Sequence, residues 1–580
     1  MIQRTVPTIA KRTLTLLLIS LGVAIGPGWD IAPVLKVPQE FPTIQAAVNA
    51  APQGATILIA PGNYRENVTI TKSLTLQGAG RDKTSVSGQE ELKPEPVFFI
   101  ENSTEIEVIL KNLTISESYL QGISIRGKAM VKLNNSAVFS NQGSGIWAEG
   151  SGQLVLQDSI VSGNERAGLM VVGFNAQIME SEISMNGGPG IRTITGAHSQ
   201  IRVMKSTISG NKQGGLWLGL DSVVVIQESW ISDNGKCGIG YEQLFTPKNG
   251  SPLGYSNWVQ YNAEDLCNVS LPQGFLLSQP PKPLLDAATV CLSGCTFTEL
   301  HPAVRAVRSG GAIHISPGVF HGTIVLAKNL TLQGAGREET IIRGYTHTNT
   351  GILVVGQAHV VLLDTQVIGG IKGIEVNDAA RVHLQNLAVS GNTYGISVTD
   401  SAQIDLQNAA ISDSRVGLHL APGSSAQANV SESIIYHNFG EGIYVGGRSQ
   451  LNLINSRVFA NGIGGLSVDE SAAAKIRQSR IEDNGTDLAC EQAGLKCSAV
   501  LVSGKTHLQL AEVTIRNNAD WGLAALLKQC GYDADLFTGE VIFEDNNAIE
   551  GNNKLGKLNG MGNPGNHPFK NLPDGQVCLP

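Results

Sequence analysis

The chain has 580 residues, of which 42% are hydrophobic and only 16% charged, with a net charge of −8. Ordinary globular proteins carry about 25% charged residues, so a long charge-laced helical protein is excluded, and 67 glycines beside only 23 prolines argue against a disordered chain. The negative balance argues against a nucleic-acid binder, which needs a basic face to displace counterions from phosphates.

At the N-terminus Arg4, Lys11 and Arg12 precede an apolar run over residues 14–25 (LTLLLISLGVAI), the order of a secretory signal peptide. This predicts a signal peptide over residues 1–26 and a secreted, periplasmic or cell-surface protein. The run is shorter than the ~20 residues a spanning helix needs. An uncleaved N-terminal anchor stays open, and no other transmembrane segment is expected. Residues 43–51 place Ile44, Ala47, Val48 and Ala51 on one helical face, which suits a short helix closing the end of a larger apolar core.

Residues 74–81 read LTLQGAGR, and residues 330–337 read LTLQGAGR again. The match extends backwards, since Leu300, Ala303, Val304 and Val307 repeat the apolar face of the first helix within residues 298–308. Two homologous halves are therefore expected, at residues 37–277 and 289–580, joined by a Pro-rich linker over 278–288. Within each half runs a finer period of about 23 residues, the mark of a solenoid. Gly122, Gly145, Gly168, Gly190, Gly215 and Gly238 carry it in the first half, and Gly373, Gly395, Gly417, Gly442 and Gly465 in the second.

Each of these glycines opens a short alternation such as GISI, GIWA, GLWL or GIYV, the period of two of a strand with one buried face. A few residues ahead stands a column of asparagines: Asn141, Asn164, Asn186, Asn211 and Asn234, then Asn438 and Asn461. Leucine-rich repeats have a similar length but need an LxxLxL frame and a helical segment. The predicted fold class is all-β: two tandem parallel β-helix solenoids, each capped by a short N-terminal helix, with the asparagines as an internal structural ladder. Asn is expected there because it tolerates left-handed backbone, and Gly because each coil must bend.

The cap (PTIQAAVNAAP) and the first coils (IAPGNYRENVTITKSLTLQGAG) resemble those of secreted pectin-lyase-like, right-handed β-helix proteins, including pectin methylesterases and periplasmic proteins that help mature copper enzymes. The resemblance implies the right-handed fold across nearly the whole mature chain. It implies an activity only if particular residues are present. GxxDFIFG-like and LGRPW-like segments are missing, as are NTD and RIK segments, and the chain contains no Asp-Asp dipeptide. Copper handling would gather His, Met or Cys, whereas the 11 histidines are scattered. No metal and no cofactor is expected. Eight cysteines in an exported chain permit disulfides, with the pairing left open.

Stacked coils turn sequence columns into ladders about 4.8 Å apart. Six residues before the asparagines runs a mixed column containing Asp158 and Glu180, whose predicted separation of about 5 Å is near that of a retaining glycosidase. They are weak catalytic candidates, because nothing around them predicts burial. The outward position after each glycine is more informative. It reads Ser124, Trp147, Met170, Arg192 and Trp217, then Glu375, Ser397, His419, Tyr444 and Ser467. Indole faces stack on apolar sugar faces and an arginine pairs with a uronate carboxylate, so Trp147, Arg192, Trp217 and Tyr444 are the candidate ligand-binding residues. The expected function is a non-catalytic exported module that binds polysaccharide or another extended surface ligand. A pectin or uronate lyase, esterase or hydrolase, and a purely structural surface protein, are the alternatives.

Overall fold

The computed structural model describes residues 33–89, 94–242, 252–280, 282–344, 350–491 and 497–580. The signal peptide expected over residues 1–26 lies outside them. No helix among the described residues is long and apolar enough to cross a membrane.

The described strands form six parallel sheets in two sets of three. In the first set, here lobe 1, one coil runs through Met130–Asn134 (sheet A), Ala137–Phe139 (sheet B) and Ile146–Gly150 (sheet C) before Gln153–Gln157 returns to sheet A. Sheets A, B and C hold 10, 9 and 9 strands, and their counterparts A′, B′ and C′ in lobe 2 hold 11, 10 and 10. Among the described residues strand pairing does not cross from one set to the other, and each set encloses its own apolar core. Helix α1 (Ile44–Ala50) buries Ile44, Ala47 and Val48 against the first coils of lobe 1, and α2 (Leu300–Ala306) buries Leu300, Ala303 and Val304 in lobe 2. Both are shorter than their amphipathic segments. Strand Leu285–Val290 begins within the segment expected to be linker and pairs with Val307–Ile315, so the second solenoid starts before residue 289.

The asparagine column is a hydrogen-bonded ladder. Asn141 donates through Nδ2 to Asn164 Oδ1 at 2.8 Å, Asn164 to Asn186 at 2.9 Å, Asn186 to Asn211 at 2.8 Å and Asn211 to Asn234 at 3.0 Å. Asn438 and Asn461 continue the pattern in lobe 2, at 2.9 Å. The same oxygens accept the backbone N–H of the preceding coil, as Asn164 Oδ1 does from Asn141. Two physical reasons differ from the sequence expectation. These asparagines do not adopt left-handed backbone; the residue just before each does, as at Ser140 (φ 53°), Met185 (φ 54°) and Asp233 (φ 56°). The column glycines are required by close approach rather than by a bend: a Cβ on Gly145 would lie 2.6 Å from Val161 Cγ1 and 2.7 Å from Asn164 Nδ2. A second ladder occupies the turn between sheets A and B, where Ser159 Oγ accepts from Ser136 N at 3.2 Å and Ser181 Oγ from Ser159 N at 3.1 Å.

The two lobes lie against one another. Lobe 2 sets α2 and its first coils on the outer face of sheet B. Lys328 and Asp233 approach to 3.1 Å with side chains 1% and 0% exposed, and the Lys328 ammonium also sits 4.6 Å above the Tyr261 ring. Ser209 Oγ meets His301 Nε2 at 3.0 Å, Arg305 meets Glu182 at 3.7 Å, and Ala263 packs on Val325, Leu353 and Val355. Four disulfides join Cys237–Cys267, Cys291–Cys295, Cys490–Cys497 and Cys530–Cys578, resolving the pairing that the sequence left open.

Candidate functional site

Parallel register fixes which side chains share a face. On the outer face of sheet C, Phe99, Ser124, Trp147, Met170, Arg192, Trp217 and Gly240 are successive partners on adjacent strands. Trp147 and Trp217 therefore stand three coils apart, about 14 Å, with Met170 and Arg192 between them. All four are partly exposed. Trp147 donates from Nε1 to Glu149 at 3.3 Å. The Trp217 ring packs on Gly240, where a Cβ would come within 2.9 Å of Cζ3, so a side chain there would collide with the indole. Arg192 Nε is buried without a hydrogen-bond partner, and the Arg126 guanidinium lies 5.5 Å from the centre of the Phe99 ring.

Tyr444 is not part of that column. It belongs to sheet C′, where Glu375, Ser397, His419, Tyr444 and Ser467 are in register. His419 is sandwiched between Tyr394 (ring centroids 4.5 Å) and Tyr444 (5.4 Å, 22° between planes). Burial and the nearby Lys372 charge hold the His419 imidazole down at about 4. Burial and the Asp469 carboxylate, which accepts from its hydroxyl at 3.4 Å, push the Tyr444 phenol up to about 12. Burial alone would raise the Glu375 carboxyl, but Lys212 at 2.6 Å and Lys372 at 2.7 Å outweigh it and hold Glu375 at about 2. Lys212 comes from lobe 1, so this end of the column is closed by the inter-lobe contact.

The catalytic candidates take a different place. Asp158 and Glu180 occupy exposed turns between sheets A and B with left-handed backbone, φ 49° and 48°. Their whole column, from Asn135 to Gln478, shares that conformation, which explains its Asn- and Asp-containing composition. Neither carboxylate stands in the walled pocket that a proton donor requires. Sequence reasoning missed two aromatic groups. Trp230 and Trp258 pack 6.2 Å apart on sheet B near the seam, and Tyr436 stacks on Phe459 at 5.3 Å on sheet B′. Their signal was present in the strand one turn before the asparagine column, at Trp230 and Trp258 and again at Tyr436 and Phe459.

A family model described as a right handed beta helix region matches residues 96–244 and 350–520, more than half of the chain. No curated protein matches significantly. Among solved structures the chain is similar to the pectin methylesterase PemA from Erwinia chrysanthemi, at 13% identity over 42% of this chain and 92% of that one, with a TM-score of 0.29. It is similar to the PL6 family alginate lyase AlyGC at 11% identity, over 90% of this chain and 99% of that one, with a TM-score of 0.30. A third similarity is to the A-module of the mannuronan C-5 epimerase AlgE6 from Azotobacter vinelandii, at 12% identity over 88% and 93% of the two chains, with a TM-score of 0.22. Three-sheet parallel coils, an internal asparagine ladder and the matched family together establish that the chain belongs to the right-handed β-helix proteins.

Proposed function

We propose that this protein is exported and binds an extended polysaccharide along the outer face of sheet C. The observation that carries the reading is the in-register, partly exposed run Trp147–Met170–Arg192–Trp217, two indoles bracketing a guanidinium. Flat rings about 14 Å apart match a ligand that extends over several sugar units, and the arginine between them selects a chain bearing carboxylates. Four disulfides support an oxidising compartment. A catalytic role has less support, because Asp158 and Glu180 stand in open turns. Screening wild type, Trp147→Ala and Trp217→Ala against a glycan array tests the reading: retention of acidic polysaccharides by wild type and loss in both variants supports it, and an array without signal removes it.

A further inference from the structure

Each of the four disulfides lies within one lobe, so none of them ties lobe 1 to lobe 2. Across the seam Lys328 Nζ and Asp233 Oδ1 stand 3.1 Å apart, with side chains 1% and 0% exposed. Close as they are, neither atom makes an aligned hydrogen bond. A buried ion pair repays its desolvation only when its geometry is good and its remaining protons and lone pairs are satisfied. The Lys328 ammonium meets neither condition, and the Tyr261 ring, 4.6 Å away, is a further neighbour. The second carboxylate oxygen is held differently. Asp233 Oδ2 accepts from Ser232 Oγ at 2.7 Å, and Ser232 Oγ accepts from Trp230 Nε1 at 2.6 Å. The carboxyl group is thus anchored through one oxygen while the other faces an amine. An amine and a carboxyl carbon fixed at this range need no diffusion to meet.

We propose that Lys328 and Asp233 are the site of a self-forming isopeptide cross-link that joins the two lobes covalently. The ammonium passes a proton to Oδ1, the freed Nζ lone pair attacks Asp233 Cγ, and the tetrahedral carbon collapses with Oδ1 leaving as water. The Nζ–Cγ bond forms and the Cγ–Oδ1 bond breaks. Both protons that Nζ gives up depart on that oxygen, nothing is oxidised or reduced, and one neutral amide replaces two opposite charges. The Ser232 hydroxyl, donating to Oδ2, steadies the charge that gathers there as Nζ attacks and stays bonded to the amide oxygen afterwards. Burial is the driving condition, because a seam closed to solvent strands both ions and expels the water they release. Two titratable groups near the pair are available to carry protons. Burial raises the Asp265 carboxyl, its Asn262 hydrogen bonds oppose that, and the Asp233 charge adds to it. Burial holds the His301 imidazole down at about 4, with Arg305 and Glu182 beyond it paired to each other at 3.7 Å. The ion pair is the reactant, so coupling between the two charges is a property of the unreacted chain. The cross-link stands on the seam alone and does not depend on the reading of the tryptophan column.

The test is mass spectrometry of the purified full chain, kept folded for days at neutral pH, then reduced and digested with trypsin. Trypsin cuts after Lys212, Lys236, Arg308 and Arg337, and it cannot cut after an acylated Lys328. The expected product is one branched peptide, residues 213–236 joined to residues 309–337, lighter by one water than the sum of its two parts, with fragment ions that place the bond between Asp233 and Lys328. Lys328→Arg keeps the positive charge but removes the amine that is acylated, so it should yield only linear peptides. The proposal is overturned if wild type gives residues 213–236 and 309–328 as separate peptides of full mass. It is overturned as well if a lost water resides on residues 213–236 alone, the mark of a cyclised aspartate, or if the same loss persists in Lys328→Arg. The wild-type digest decides the matter even where the variant fails to fold.

Discussion

The Lys328 ammonium and the Asp233 carboxylate, from different lobes, lie 3.1 Å apart with their side chains 1% and 0% exposed. A charge this deep must be paired, so the contact fixes how the lobes sit against each other. Removing one partner strands the other in a dry seam, at a cost of about 3–5 kcal/mol, whereas replacing both by apolar residues is near neutral. Denaturant unfolding should therefore show Lys328→Met and Asp233→Leu each strongly destabilised and the double variant close to wild type. Additive losses in the double variant would contradict this coupling.

The ladder predicts an asymmetry at Asn164, which donates from Nδ2 to Asn186 while its Oδ1 accepts both Asn141 N–H and Asn141 Nδ2. Asn164→Ala leaves buried groups on two coils unpaired and should cost about 2–5 kcal/mol. Asn164→Asp keeps the acceptor but loses the donor and sets a carboxylate against Asn186 Oδ1, so it should be at least as damaging at neutral pH. Thermal denaturation of the two variants distinguishes this from a tolerant surface turn, where both changes would fall within about 0.5 kcal/mol.

Acid should weaken the fold in two stages. His301, facing Arg305, Glu182, Asp233 and Lys328, is held at about 4 by burial and then by Arg305, against 6.5 for a free imidazole. Between those values the unfolded chain takes up a proton that the folded chain refuses, so stability is full above about pH 6.5 and falls toward pH 4, by on the order of 3 kcal/mol for this residue. Glu375 acts lower down. Its carboxyl sits at about 2 against an ordinary 4.5, so the stability from its lysine pairs is present above pH 4.5 and disappears as pH falls toward 2. Unfolding free energies measured from pH 7 to 4.5 should decline in wild type and decline less in His301→Gln; equal slopes would contradict the assignment.

The Cys530–Cys578 disulfide closes a loop of 48 residues over the end of lobe 2, where Trp521 is fully buried and donates from Nε1 to Cys530 O at 2.9 Å. Chain-entropy arguments give a link of this length about 4 kcal/mol. Cys578→Ser should lower the melting temperature and shift tryptophan emission to longer wavelength as the cover over Trp521 loosens. An unchanged emission spectrum would show that the last strand holds without the link.

The coil architecture was legible because it is written in periods. Alternation after each glycine marked strands such as Ile146–Gly150, and the recurrence of Asn141, Asn164 and Asn186 marked the ladder. The outward column was legible for the same reason, and Trp147, Arg192 and Trp217 do share a face. What holds the lobes together was not. Asp233 and Lys328, Lys212 and Glu375, and Glu182 and Arg305 meet across long stretches of chain and belong to no repeating column. The column of Asp158 and Glu180 misled through its spacing, since a left-handed turn repeated on every coil places carboxylates as regularly as a catalytic site would.

The most direct measurement is the affinity of the full chain for a soluble polyuronate, by calorimetry, compared with Trp147→Ala, Trp217→Ala and Arg192→Gln. The tryptophan column as a binding face predicts saturable binding by wild type, a loss of about tenfold or more in each variant, and weaker binding to a neutral polymer of the same length. Wild-type affinity retained in all three variants, or no binding to any acidic polymer, would contradict it.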